Sequence, residues 1–175
     1  MSRCFVIWLT GLSGAGKSTL GYSMKEKLKS VGKSVIFIDA DKVRKGICKD
    51  LGFSKIDKTE NIRRIAEISK ICLDEELIPI VASISPFKNG RDYARKIIEK
   101  KGGFYEIYVK ASLKEVMRRD TKGLYKKFND GKVRGLSGVD SKYEIPENPE
   151  IIIDTERTSI LDSINIIYGH IKKEL

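Results

Sequence analysis

The sequence is sparing with the residues that build disulfide frameworks, zinc sites and membrane spans. Three cysteines and a single histidine stand in 175 residues. Cys4, Cys48 and Cys72 are odd in number, far apart and without C-x-x-C spacing. That argues against a zinc site or a disulfide framework and suits a reducing cytoplasm. His170, alone in the last helical stretch, reads as a surface or structural residue. No apolar run approaches the roughly 18 residues that a membrane span needs. "CFVIWL", near the N-terminus, reads as a buried strand rather than a signal-peptide core. Internal repeats, low-complexity tracts and long linkers are missing, which leaves one domain over residues 1–175. Acidic residues are in the minority, 24 against 34 Lys and Arg, for a net charge of +10. Such a balance suits nucleic acid, or small polyanions drawn into a positive cleft. The cations are spread over several helical stretches, denser at "KGLYKKFNDGKVRG", with no long basic arm. Most therefore read as solvated faces.

What is present is concentrated early. "TGLSGAGKSTL", Thr10 to Leu20, follows the apolar run directly. From Gly11 to Ser18 it fits G-x-x-x-x-G-K-[ST], between an expected strand and an expected helix, "KSTLGYSMKEKLKS". The amides of such a loop form an anion nest at a helix N-terminus. Gly11, Ser13, Gly14, Ala15, Gly16, Lys17, Ser18 and Thr19 are thus the candidate nucleotide cradle. Lys17 would reach the β- and γ-phosphates of ATP, and the Ser18 hydroxyl would ligate Mg²⁺. A glycine-rich turn before a surface helix is the plain alternative, and the strand-loop-helix context disfavours it.

Further short apolar runs, "SVIFID", "IPIVASI", "FYEIYV" and "EIIID", read as strands buried on both faces. Helical periodicity fills the gaps, notably in "TENIRRIAEISKICLDEEL", with Asp57 or Thr59 as N-cap, and in "GRDYARKIIEKK", "SLKEVMRRD" and "SILDSINIIYGHIKKEL". The alternation predicts a five-stranded parallel sheet flanked by helices, with ligands at the carboxyl ends of its strands. There stand Asp39 and Asp41 in "DAD", then "SISPFKNGR", and a glycine-punctuated basic stretch over 122–140 that reads as a mobile lid.

"GLSGAGKST", "DADKVRKGICKDLGFS", "DKTENIRRIAEISK", "SISPFKNGRDYAR", "RRDTKGLYKK" and "GVDSKYEIPENPEIIIDT" follow in this order. Together they resemble the adenylyl-sulfate kinase (APS kinase) family over nearly the whole chain. The resemblance implies an α/β P-loop kinase fold, usually a homodimer. It implies transfer of the ATP γ-phosphate to the ribose 3′-hydroxyl of adenosine 5′-phosphosulfate, a small nucleotide rather than a nucleic acid or membrane. Carried over by position, Asp39 stands near Mg²⁺ and the acceptor hydroxyl. Asp41 and Arg44 line the acceptor pocket, Phe53 stacks on the acceptor base, and Lys58 and Asn61 serve its anionic end. Ile84 and Ser85 close the pocket wall, Lys122 comes from the lid, and Gly135 and Leu136 lie beside the base. Lys17, Asp39, Asp41 and Lys122 form the catalytic set. Ser85 reads as a helix cap or ligand contact rather than a phosphoserine, Phe53 alternatively as a core aromatic, and the two aspartates alternatively as turn formers.

Family members usually carry D-G-D where this chain has Asp39-Ala40-Asp41, often an arginine at Lys58, an acidic residue at Gly90 and an aromatic at Leu136. These departures lie on the acceptor side. They leave room for a second acceptor of the same chemistry, cytidine diphosphoramidate in capsule modification. A non-catalytic nucleotide- or nucleic-acid-binding module is the reading of another class, favoured only by the charge.

Overall fold

The computed structural model describes residues 4–175. Strand β1, Phe5–Thr10, is buried along its whole length because it is the middle strand of the sheet. β2, Val35–Asp39, and β3, Ile78–Ala82, lie to one side. β4, Gly103–Lys110, and β5, Ile151–Asp154, lie to the other. The order is β2-β3-β1-β4-β5, and every pairing is parallel. Alternate residues of β1 feed two cores, as the period of two requires. Phe5, Ile7 and Leu9 pack under helices α1, Lys17–Ser30, and α7, Ile160–Ile171. Val6 and Trp8 pack under α3, Lys55–Asp74, and α4, Lys88–Ile98. Because the neighbours β3 and β4 leave on opposite sides of β1, a crevice opens at the carboxyl end of β1.

Three short helices surround that crevice: α2, Ala40–Lys45, α5, Leu113–Arg119, and α6, Leu124–Asn129. Sequence periodicity anticipates α5 but neither α2 nor α6; each of those is six residues long, too short to repeat an apolar face. Helix α3 starts earlier than expected. Its N-cap is Ser54, whose side chain accepts from the Asp57 N–H while the Asp57 carboxylate accepts from the Ser54 N–H. Asp57 thus belongs to the cap, but as the third helical residue of a reciprocal capping box. Among the described residues no helix is long and apolar enough to cross a membrane.

Candidate active site

The loop between β1 and α1 has the backbone that its glycines predict. Gly11 has φ +147°, and a Cβ there would meet the Val109 carbonyl oxygen at 2.3 Å. Gly16 caps α1 at φ +103°. Both conformations and the close approach need a residue without a side chain. Lys17 is buried, and its ammonium donates to the carbonyls of Gly11, 2.8 Å, and Leu12, 2.7 Å. Burial is the main cause lowering its pKa to about 7; the Lys122 charge lowers it too, against Asp41 and Asp39. The next three loop carbonyls are taken from outside. Ser13 O accepts from the Tyr125 hydroxyl at 2.9 Å, Gly14 O from Arg119 at 3.4 Å, and Ala15 O from the Thr155 hydroxyl at 3.0 Å.

The loop opens into a cavity of about 550 Å³, within the range for small-molecule sites. On the β2 side stand Asp39, Asp41, Arg44, Phe53, Lys58, Asn61, Ile84, Ser85, Lys122, Gly135 and Leu136, each of which lines the cavity. Asp39 ends β2 and caps α2: one carboxylate oxygen accepts from the Asp41 N–H at 2.9 Å, the other from the Ser18 hydroxyl at 3.2 Å. The Ser18–Asp39 pair is a set of hard oxygen donors, the type that suits Mg²⁺. Among the described residues no three His, Cys, Asp or Glu side chains gather as a metal site, so any cation here takes the rest of its oxygens from ligand and water. Lys122 pairs with Asp41 across the mouth. Asn61 is 3% exposed, and its amide oxygen has no partner among the described residues. A buried acceptor left open in a cavity wall is a place for a ligand donor.

Five expectations change in detail. Ser85 does not cap α4. The N-cap of that helix is Phe87, with no side-chain cap bond, while the Ser85 hydroxyl accepts from the Trp8 indole at 3.0 Å and donates to Ser83 O at 3.3 Å. Ser85 sits at φ +39°, and Arg91 donates to its carbonyl at 2.8 Å, so the wall turn is held from both sides. Phe53 is no core residue: it is 65% exposed, with the Arg44 guanidinium 4.7 Å from its ring centre. Leu136 is only 6% exposed and packs in the α1/α7 core, touching the cavity with a small part of its surface. Lys58 is buried, and its ammonium is engaged by Gly135 O at 2.7 Å, Ser141 Oγ at 2.8 Å and Ser137 Oγ at 3.4 Å. It ties α3 to the end of the 122–140 segment. That segment is also less loop-like than its glycines suggest, since it contains α6 with Tyr125 buried against the phosphate loop.

On the β5 side the cavity is lined by Arg119, Thr155, Thr158, Ile160 and Ser163, which the sequence reading passed over. Thr155 directly follows β5, so the strand-end rule reaches it. Arg119 carried no such signal; it is set by pairing with Glu115 and by donating to Thr155 O at 2.9 Å.

A parallel sheet with a glycine-lysine phosphate loop after its central strand, a carboxylate at the end of β2 and cavity walls on both sides defines the class of P-loop kinases. The family model for adenylylsulphate kinase matches residues 3–154. The chain belongs to the adenylyl-sulfate kinase family. It is 47% identical over 167 residues to the adenylyl-sulfate kinase of Oceanobacillus iheyensis, covering 95% of this chain and 83% of that one. With the probable adenylyl-sulfate kinase of Bacillus subtilis it shares 46% over 162 residues, 93% of this chain and 81% of that one. In structure it is similar to the Mycobacterium tuberculosis APS kinase solved in complex with AMPPNP and APS, at TM-score 0.94 and 34% identity over 98% of this chain and 99% of that one.

Proposed function

We propose that the chain transfers the γ-phosphate of ATP to the ribose 3′-hydroxyl of adenosine 5′-phosphosulfate, forming the 3′-phospho product. The observation that carries this reading is the single cavity in which the phosphate loop meets, on its β2 side, Asp39, Arg44, Lys58 and the open amide of Asn61. The loop fixes the triphosphate in the middle, so ATP takes the β5 side, along Arg119, Thr155 and Ile160, and the acceptor takes the β2 side. Asp39 orients the 3′-hydroxyl and accepts its proton as the bond to phosphorus forms. Lys17 and Lys122 hold negative charge on the transferred group, and Asp41 keeps Lys122 at the mouth. Arg44 and Asn61 receive the anionic end of the acceptor, and the exposed face of Phe53 receives its base. Lys58 holds the lid end that covers the acceptor and serves the anion through its charge. Mg²⁺, held by Ser18 and Asp39, supplies neutralisation of the phosphate oxygens. Residues 122–140 close over the bound pair and exclude water. The working unit is a homodimer in the cytoplasm, for which the solution mass would be twice 19.8 kDa.

One observation favours a second acceptor. Phe53 is the only aromatic side chain among the described residues lining the cavity, so a base there stacks on one ring. Cytidine diphosphoramidate, with its smaller base and similar anhydride, uses the same chemistry. The test is ADP release from Mg²⁺-ATP with adenosine 5′-phosphosulfate, cytidine diphosphoramidate, AMP or CMP as acceptor. Turnover with the phosphosulfate alone supports the first reading, and turnover with the cytidine compound alone replaces it. No turnover with any acceptor, together with salt-sensitive DNA binding, would move the chain to the non-catalytic class.

A further inference from the structure

A phosphate loop works by turning its amides inward, and the same peptide planes then turn their carbonyls outward. A carbonyl without a fixed partner lets its plane rotate, and the amide attached to it rotates with it. In this chain every carbonyl from Gly11 to Ala15 has a side-chain donor: Lys17 for the first two, then Tyr125, Arg119 and Thr155. Among the described residues none accepts from the N–H groups of Gly14, Gly16 or Lys17, which are therefore available to an anion.

The Tyr125 contact differs from the others. Arg119 and Thr155 follow strands β4 and β5 at the body of the fold, whereas Tyr125 belongs to α6, inside the segment proposed as the lid. The ring is 3% exposed and packs in the α1/α7 core. Its hydroxyl bond to Ser13 O, 2.9 Å, is buried. The helix that carries it is held in turn by Asp120, whose two carboxylate oxygens accept from the N–H groups of Tyr125, 3.1 Å, and Lys126, 2.9 Å. Burial, with the Asp120 charge, pushes the hydroxyl up to about 12, so it stays a donor throughout the working range.

We propose that Tyr125 is a positioning residue: its hydroxyl fixes the Ser13–Gly14 peptide with the amide turned toward ATP, and makes α6 and the phosphate loop move as one body. Binding of a phosphate anion then tightens α6 directly, and looseness of α6 weakens nucleotide binding. The inference rests on nucleotide binding by the loop and is independent of which acceptor is used.

The experiment is Tyr125→Phe, which removes one oxygen and keeps the ring. The expected result is ADP and ATP affinity, by calorimetry, lowered by about two- to tenfold, the weight of one buried hydrogen bond. Acceptor KM at saturating ATP should change less than nucleotide affinity, a split that a general loss of structure would not give. In the unchanged protein, hydrogen exchange at the amides of 124–129 should slow when ADP alone is added, and this coupling should shrink in the variant. Unchanged ADP affinity in a folded Tyr125→Phe protein would overturn the proposal. So would α6 exchange in the unchanged protein that ignores ADP, a measurement that stands even if the variant does not fold. Because ADP binding needs no acceptor, failure of the acceptor assignment leaves these readouts intact.

Discussion

Lys17 and Asp39 carry the sharpest expectations at the scale of single residues. Burial lowers the Lys17 pKa to about 7. Phosphate oxygens favour the ammonium, so ATP binding at pH 8 takes up a proton. Nucleotide affinity should therefore fall as pH rises above about 7, by up to about tenfold per pH unit, and be flat in this respect below it. Calorimetry in buffers of different ionisation enthalpy reads that proton directly. The sign for stability is opposite. The unfolded chain keeps this lysine protonated up to its ordinary value of 10.5. It thus holds more protons than the folded one between about 7 and that value, and this group's contribution to stability rises with pH there. Asp39→Asn keeps its amide oxygen as the acceptor for the Asp41 N–H, so α2 keeps its cap, while an NH2 donor replaces the oxygen that accepts from the Ser18 hydroxyl. Loss of the proton acceptor should lower kcat by about 10²–10⁴-fold with much less change in ATP KM. A change confined to ATP KM would make Asp39 a binding residue only. Leu136 shows how a residue role shifts with burial. A phenylalanine there would enlarge a packed core site, and overpacking typically costs about 1–3 kcal/mol, so its effect on acceptor binding would be mixed with lost stability.

Elements are where the acceptor side is organised. Helix α3 begins at the Ser54–Asp57 capping box, and one turn later Lys58 reaches across to the 135–141 segment. Burial lowers the Lys58 pKa, with the Asp140 charge opposing. Asp140 itself accepts from the N–H groups of Gly135, 2.9 Å, and Leu136, 2.6 Å. The segment is thus knotted at its C-terminal end by one lysine and one aspartate. Lys58→Met should loosen that knot while leaving the phosphate loop alone. Hydrogen exchange across 135–141 should speed up, and acceptor KM should rise several-fold with ATP KM unchanged. Equal exchange in both proteins would leave Lys58 acting on the acceptor through charge alone.

For the whole molecule the relevant quantity is charge. A net charge of +10 raises the local concentration of polyanionic nucleotides at the cleft, where Lys17, Arg44, Lys58, Arg119, Lys122 and Arg134 line one cavity. Salt at ~0.3 M shortens the Debye length to about half of its value at ~0.08 M. The acceptor kcat/KM should therefore fall several-fold over that range while kcat changes little. A salt-independent kcat/KM would reduce the surface charge to a role in solubility.

The sequence by itself determined the sheet and the cradle. Five apolar runs in alternation with helical stretches point to a parallel sheet, although only β1 and β3 are buried along their whole length and Ile152 of the edge strand β5 is exposed, and Gly11, Gly16, Lys17 and Ser18 fix the phosphate loop because their spacing is local. Asp39 was legible for the same reason, since it ends a strand. Only the tertiary structure decided what depends on distant partners. It spends the Lys58 ammonium on a segment some eighty residues away, sets Ser85 under Trp8 rather than at a helix cap, and sinks Leu136 into the core. It also recruits Arg119, Tyr125 and Thr155 around the loop carbonyls. A backbone carbonyl leaves no mark on the identity of the residue that carries it. Which side chains come to hold it is settled by where the chain returns after β4 and β5, not by any local pattern.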